Sequence, residues 1–190
     1  IIDSDLILIN QISFDFRGLP VNNGSISIDR KNGFLVEGSL NTDLDSDTKK
    51  LSKLIKLFSD LDLSNKKGTV KGNFLNKFKF NLDNELKLKD YSYNLKASLK
   101  ESKINLDKEF NSSFLRDGIK EIYFDKSKLE FNLSNKKESK VFIEGLYKLG
   151  KEKKYQKYKF ENSSKKSMSK FNINLDFNEY AFIELINYEK

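Results

Sequence analysis

Asn76-Lys77-Phe78-Lys79-Phe80-Asn81-Leu82 and Tyr93-Asn94-Leu95-Lys96-Ala97-Ser98-Leu99 place apolar side chains at alternate positions, with Lys, Asn or Ser between them. Successive side chains point to opposite faces of a strand, so each stretch reads as a β-strand with one apolar and one wet face. The beat returns in Leu129, Phe131 and Leu133, and again in Phe171, Ile173, Leu175 and Phe177. The pattern predicts a mainly β protein: an extended antiparallel sheet of amphipathic meander strands, curled into a groove or open half-barrel.

Upstream, a strand is expected from Leu6 through Ile12, Phe14 and Phe16, broken by Gly18-Leu19-Pro20. Val21 to Gly24 reads as a turn, because Asn22-Asn23-Gly24 tolerates positive φ. Ile26 and Ile28, then Val36, Gly38 and Leu40, make two more strands around the hairpin signal Lys31-Asn32-Gly33. Between 41 and 63 the period lengthens. Leu51, Leu54, Ile55, Phe58 and Leu61 share one face of a short amphipathic helix, about 48–61, which Asp47 or Thr48 can cap. Strands resume near Val70 and continue to 188, including separate strands at 119–124 and 128–133, with turn signals at 82–85, 133–136 and 162–165. Gly38, Gly72 and Gly145 fall inside strand patterns, where Gly marks a bulge or bend. No linker divides the chain, so 1–190 is expected to be one continuous array: a strand group over 1–46, the helix over 47–63 and a second strand group over 68–190. It begins at Ile1 and is expected to be a fragment of a longer protein.

The 190 residues are 37% hydrophobic and 33% charged, enough to cover one face of a sheet more easily than two. Net charge is +7, yet Arg occurs only at Arg17, Arg30 and Arg116 while Lys, Asn, Ile and Phe abound. An AT-rich genome would write that composition at unconstrained positions, and readers of phosphate and guanine favour the Arg fork, so no nucleic-acid partner is expected. Cys and His are absent, which excludes thiol chemistry, disulfides, His-based triads and the usual zinc sites within this sequence. No apolar run approaches the roughly 20 residues of a membrane helix.

Asp43, Asp45 and Asp47 alternate as in a calcium loop, but Thr48 and Leu54 stand where that loop wants Gly and a bidentate Glu. They read as a charged loop leading into a helix cap. The run 151–160 interleaves cations with aromatics, as a single-strand nucleic-acid or lipid-headgroup surface does; it equally suits a hairpin whose Lys residues protect an edge strand. Glu37, Asp83, Asp90, Glu130 and Glu144 are the acids an acid–base pair would draw on, and spacing pairs none of them across a pocket. The expectation is a protein that is not an enzyme and uses no cofactor or metal.

Gly68-Thr69-Val70-Lys71-Gly72-Asn73-Phe74 entering a hairpin, Lys89-Asp90-Tyr91-Ser92-Tyr93-Asn94-Leu95-Lys96-Ala97 starting the next, and long runs of amphipathic strands around one short helix resemble the AsmA-like family of bacterial envelope proteins, with its TamB and YhdP relatives. The resemblance spans most of the chain from Ile12. It implies a β-groove that binds and conducts phospholipid between inner and outer membranes and supports outer-membrane assembly. It further implies a monomeric, periplasmic segment, anchored to the inner membrane through a part not present here, with phospholipid acyl chains and envelope membrane proteins as partners. Phe78, Phe80, Leu82, Tyr93, Leu95, Leu129, Phe131, Leu133, Phe171, Ile173, Leu175 and Phe177 would line the groove, with the helix over one opening or edge. The alternative is a structural or adhesive β-domain of a surface protein, in which these residues fill a closed core; alternation alone fits both.

Overall fold

The computed structural model describes residues 5–16, 19–48, 67–111, 118–165, 168–176, 182–183 and 188–189. The chain is mainly β. Its strands are β1 (Leu6–Asn10), β2 (Phe14–Phe16), β3 (Leu19–Val21), β4 (Asn23–Asp29), β5 (Phe34–Asp47), β6 (Lys67–Leu82), β7 (Leu88–Leu99), β8 (Ser102–Phe110), β9 (Ile119–Ser134), β10 (Ser139–Leu149), β11 (Gln156–Lys165), β12 (Met168–Leu175), β13 (Phe182–Ile183) and β14 (Tyr188–Glu189). Ten form one antiparallel sheet in the order β1-β4-β5-β6-β7-β9-β10-β11-β12, with β8 between β6 and β9. Among the described residues β1 pairs only with β4 and β12 only with β11, so the sheet is open and is not a closed barrel. β2–β3 and β13–β14 are separate two-stranded ribbons. The helix expected over 48–61, and Phe177, lie outside the described residues.

β7 and β8 are one strand line. Both run antiparallel to β6 and to β9, and the register against β9 is unbroken from Leu99↔Ser127 to Ser102↔Phe124. Against β6 it slips by one residue, from Gly72↔Leu99 to Thr69↔Lys103. Counted this way, the large sheet is a simple meander from β4 to β12, as neighbouring hairpins dictate.

Five local expectations change. The first strand does not run from Leu6 to Phe16: β1 ends at Asn10, β2 is separate, and Leu19 and Pro20 belong to β3, paired with Phe16 and Asp15. Asn23 and Gly24 are not in a turn; they open β4 and pair with Asn41 and Leu40, because β2–β3 makes its own ribbon upstream. The segments 119–124 and 128–133 are one 16-residue strand, β9, interrupted by a bulge rather than a turn. Asn162 to Lys165 continue β11 against β12. Asp43, Asp45 and Asp47 belong to β5 rather than to a loop, and Asp45 bridges to Lys71 at 2.9 Å.

Candidate apolar binding face

Paired residues in an antiparallel ladder project from the same face, so the register assembles rows across strands. One row is Ile7-Ile28-Val36-Phe80-Tyr91; the next, Ile9-Ile26-Gly38-Phe78-Tyr93-Leu133. Another runs Leu40-Asn76-Leu95-Phe131-Val141-Asn162-Phe171, and below it Thr42-Phe74-Ala97-Leu129-Ile143-Phe160-Ile173. The row Leu44-Gly72-Leu99-Ser127 continues through Gly145 to Tyr158 and Leu175. Phe78, Phe80, Leu82, Tyr93, Leu95, Leu129, Phe131, Leu133, Phe171, Ile173 and Leu175 thus share a single face. Val36, Leu40, Tyr91, Val141, Ile143 and Phe160 join them; their alternation was visible in sequence, but only pairing shows which face it serves.

Rings tile this face. Phe78 and Phe80 have centroids 5.5 Å apart, Tyr93 meets Phe131 edge-on at 6.0 Å, and Phe160 lies 6.2 Å from Phe171. Gly38 has its own reason: a Cβ there would sit 2.1 Å from the tip of the Phe78 ring, so the glycine is the floor on which that ring lies. The face is only partly covered. Among the described residues the buried hydrophobic set is Val21, Leu44, Ala97, Ile119 and Tyr147, while Phe80 is 36% exposed, Phe171 63%, Ile173 58% and Leu175 45%.

A crease crosses four strands. The line β7–β8 places Lys100, Glu101 and Ser102 opposite only Val70 and Lys71 of β6, and β9 carries one extra residue against β10, at Lys126-Ser127 opposite Gly145. Lys126 has φ +47°. The two bulges share a device: the Ser102 hydroxyl donates to the Lys100 carbonyl and the Ser127 hydroxyl to the Asp125 carbonyl, both at 3.2 Å. Gly72 and Gly145 flank them, because the neighbouring chain comes too close for a side chain. A Cβ at Gly72 would meet the Ser98 carbonyl at 2.5 Å, and one at Gly145 would meet Ser127 Oγ at 2.3 Å. Bulges bend a strand and increase its twist, which is what curling needs.

Polar atoms on this face are mostly satisfied within it. The Tyr93 hydroxyl donates to Asn76 Oδ1 at 2.6 Å, the Tyr158 hydroxyl to Ser127 Oγ at 2.9 Å, and the Tyr147 hydroxyl to the Asp176 carbonyl at 2.9 Å. Burial, helped by the charges of Glu152 and Asp176, pushes the Tyr147 phenol up to about 12, and burial raises Tyr93 and Tyr158 as well.

The opposite face is laid out for water. Cross-strand ion pairs join Lys79 to Glu37, Lys71 to Asp45, Lys96 to Glu130 and Lys103 to Glu121, and Asn73 bridges Asn41 and Asp43. Lys103 and the Tyr123 hydroxyl hold the Glu121 carboxyl below its usual range. The cations and aromatics of 151–160 do not form one surface: Tyr158 and Phe160 project from the apolar face and Lys157 and Lys159 from the wet one, while the Lys148 ammonium lies over the rings of Tyr123 and Tyr155 at 4.7 and 5.2 Å. Compared with family models, curated proteins and solved structures, the chain matches none.

Proposed function

We propose that this chain is a non-catalytic segment of a cell-envelope protein that holds phospholipid acyl chains against its apolar face and lets them move along it between inner and outer membranes. The observation that carries the reading is the single apolar face, continuous over the large sheet and left part-exposed at Phe80, Phe171, Ile173 and Leu175. A sheet normally buries its apolar face against another layer. Acyl chains ask only for a continuous apolar floor, while headgroups stay in water at the open side. The periplasmic location and an anchor in the inner membrane belong to the same proposal.

The test is native mass spectrometry with lipid extraction on protein purified from a bacterial envelope. Phospholipid should co-purify with the parent protein and be lost from Phe131→Asp, with the β circular dichroism retained. A lipid-free parent that folds cooperatively, and that Phe131→Asp unfolds, would overturn the proposal in favour of a closed structural or adhesive domain.

A further inference from the structure

We propose that a cavity on the wet face is a binding site for a water-soluble, phosphate-bearing chain. The lysines and amides that carry it project from the other side of the sheet, although Gly38, Phe78, Tyr91, Tyr93 and Leu133 of the apolar-face rows also border the cavity. The cavity, about 1020 Å³, lies where the β9–β10 turn folds back toward β7. Asn135 pins that turn: its side chain donates to the Lys89 carbonyl at 2.9 Å and accepts from the Tyr91 N–H at 3.1 Å, and Lys136 bridges to Asp90 at 2.7 Å.

Across the floor the register sets Ser39-Lys77-Asn94-Asn132-Lys140-Ser163 in one row. Elsewhere on this face Lys71, Lys79, Lys96 and Lys128 stand opposite carboxylates. Here Lys77 and Lys140 stand opposite amides and hydroxyls, and Asn94 donates its amide to Asn132. Five lysines line the cavity (Lys77, Lys79, Lys136, Lys137 and Lys140) against three carboxylates, Glu37, Asp90 and Glu138. Glu37 is taken by Lys79 and Asp90 by Lys136, which leaves Lys77, Lys137 and Lys140 with no ion pair among the described residues.

Lys77 on β6 and Lys140 on β10 are three strand spacings apart, about 14 Å between backbones. Long side chains reaching inward from both ends suit two phosphates joined by a polar linker that the Asn94–Asn132 amides can bind.

Titration calorimetry with inorganic tripolyphosphate tests this, comparing the parent with Lys77→Gln/Lys140→Gln and with a control, Lys71→Gln/Lys96→Gln, that removes the same charge from the same face. The parent should bind one equivalent, the cavity variant at least about tenfold more weakly because two charge-assisted contacts are gone, and the control within about twofold, the share set by screened long-range charge. The side-chain amide resonances of Asn94 and Asn132 should shift on binding. Equal losses in the two variants, or binding without saturation, would show net charge alone and overturn the site. Binding to phosphatidylglycerol vesicles without binding to tripolyphosphate would overturn it too, in favour of a membrane surface.

Discussion

Replacing Gly145 by alanine should damage the fold out of proportion to one methyl group. A Cβ at this position would lie 2.3 Å from Ser127 Oγ, 2.7 Å from its Cα and 2.8 Å from its Cβ. The nearest contact is a side-chain hydroxyl, but the second is the Ser127 backbone Cα, which cannot rotate away. Ser127 is 1% exposed, held by the Tyr158 hydroxyl and by its own bond to the Asp125 carbonyl. The bulge must open to admit the methyl, an overpacking cost of roughly 1–3 kcal/mol. Losing the Tyr158 bond adds about 1 kcal/mol, so the change should total roughly 2–4 kcal/mol. At roughly 2–4 °C per kcal/mol for a chain of this size, Tm should fall by roughly 5–15 °C. Gly150→Ala is the control: its φ of +51° strains any L residue, but nothing lies within 4 Å of a Cβ there, so it should cost only about 1 kcal/mol. Urea and thermal unfolding followed by circular dichroism measure both, and Ser127→Gly in the Gly145→Ala background should recover part of the loss. If Gly145→Ala were no worse than Gly150→Ala, or Ser127→Gly gave nothing back, the close approach would not be what holds the crease.

The buried phenol of Tyr147 should make stability fall in alkali. An unfolded tyrosine ionises near its usual value of 10, whereas Tyr147 keeps its proton to about 12; the folded state therefore binds more protons in that window, and its stability is complete below pH 10 and lost as pH rises toward 12, by about 2 kcal/mol. Tyr147→Phe should lose about 1 kcal/mol at neutral pH with its bond to Asp176 and then show a flatter decline above pH 10, read from urea midpoints across pH. On the wet face, Glu37→Gln breaks the 2.7 Å bridge to Lys79, but both side chains are about half exposed. That change should cost under about 1 kcal/mol, and less in high salt, in the same urea assay.

Strand class and the alternation of apolar and wet positions within each strand were legible because alternation is a local property. Register was not, since it depends on which strands meet. The crease lay between these cases. Leu95, Ala97 and Leu99 are odd-numbered and Ile104 is even; Leu129, Phe131 and Leu133 are odd and Ile122 and Phe124 even. A strand that keeps one face apolar across a change of parity must carry an odd residue, which is a bulge. The Asp125-Lys126-Ser127 step reads equally as a turn until β10 is found to pair on both sides of it. Asn22-Asn23-Gly24 misleads for the opposite reason. Its turn chemistry is real, but the β2–β3 ribbon already reverses the chain upstream, and Asn23 and Gly24 go to β4. The wet-face cavity had no sequence signal at all, because Lys77, Asn94, Asn132 and Lys140 come from four strands and look like any other solvated positions.

The polar groups of the apolar face bear on what that face can accept. A hydroxyl without a partner would repel an acyl chain, since covering it would strand it from water at a cost of roughly 1–3 kcal/mol. Along the crease the hydroxyls of Ser127, Tyr158 and Tyr147 are already spent on one another or on backbone carbonyls, and above it Tyr93 is spent on Asn76. Ser46 Oγ on β5 and Gln156 Oε1 on β11 are exceptions on this face, buried groups with no partner among the described residues. Covering the face is therefore an apolar transaction over most of its length. Fully burying a Phe, Leu or Ile side chain stabilises by roughly 1.5–3 kcal/mol. Phe171, Ile173 and Leu175 are each about half exposed, so an apolar ligand laid over β12 alone would gain on the order of 2–4 kcal/mol. Neither a short contact nor a single strand would hold a lipid at that strength, but contact extended across neighbouring rows would. Movement along the face then requires only that successive rows be alike, and the bulges, which shift parity but keep the apolar side chains on one face, keep them so on both sides of the crease.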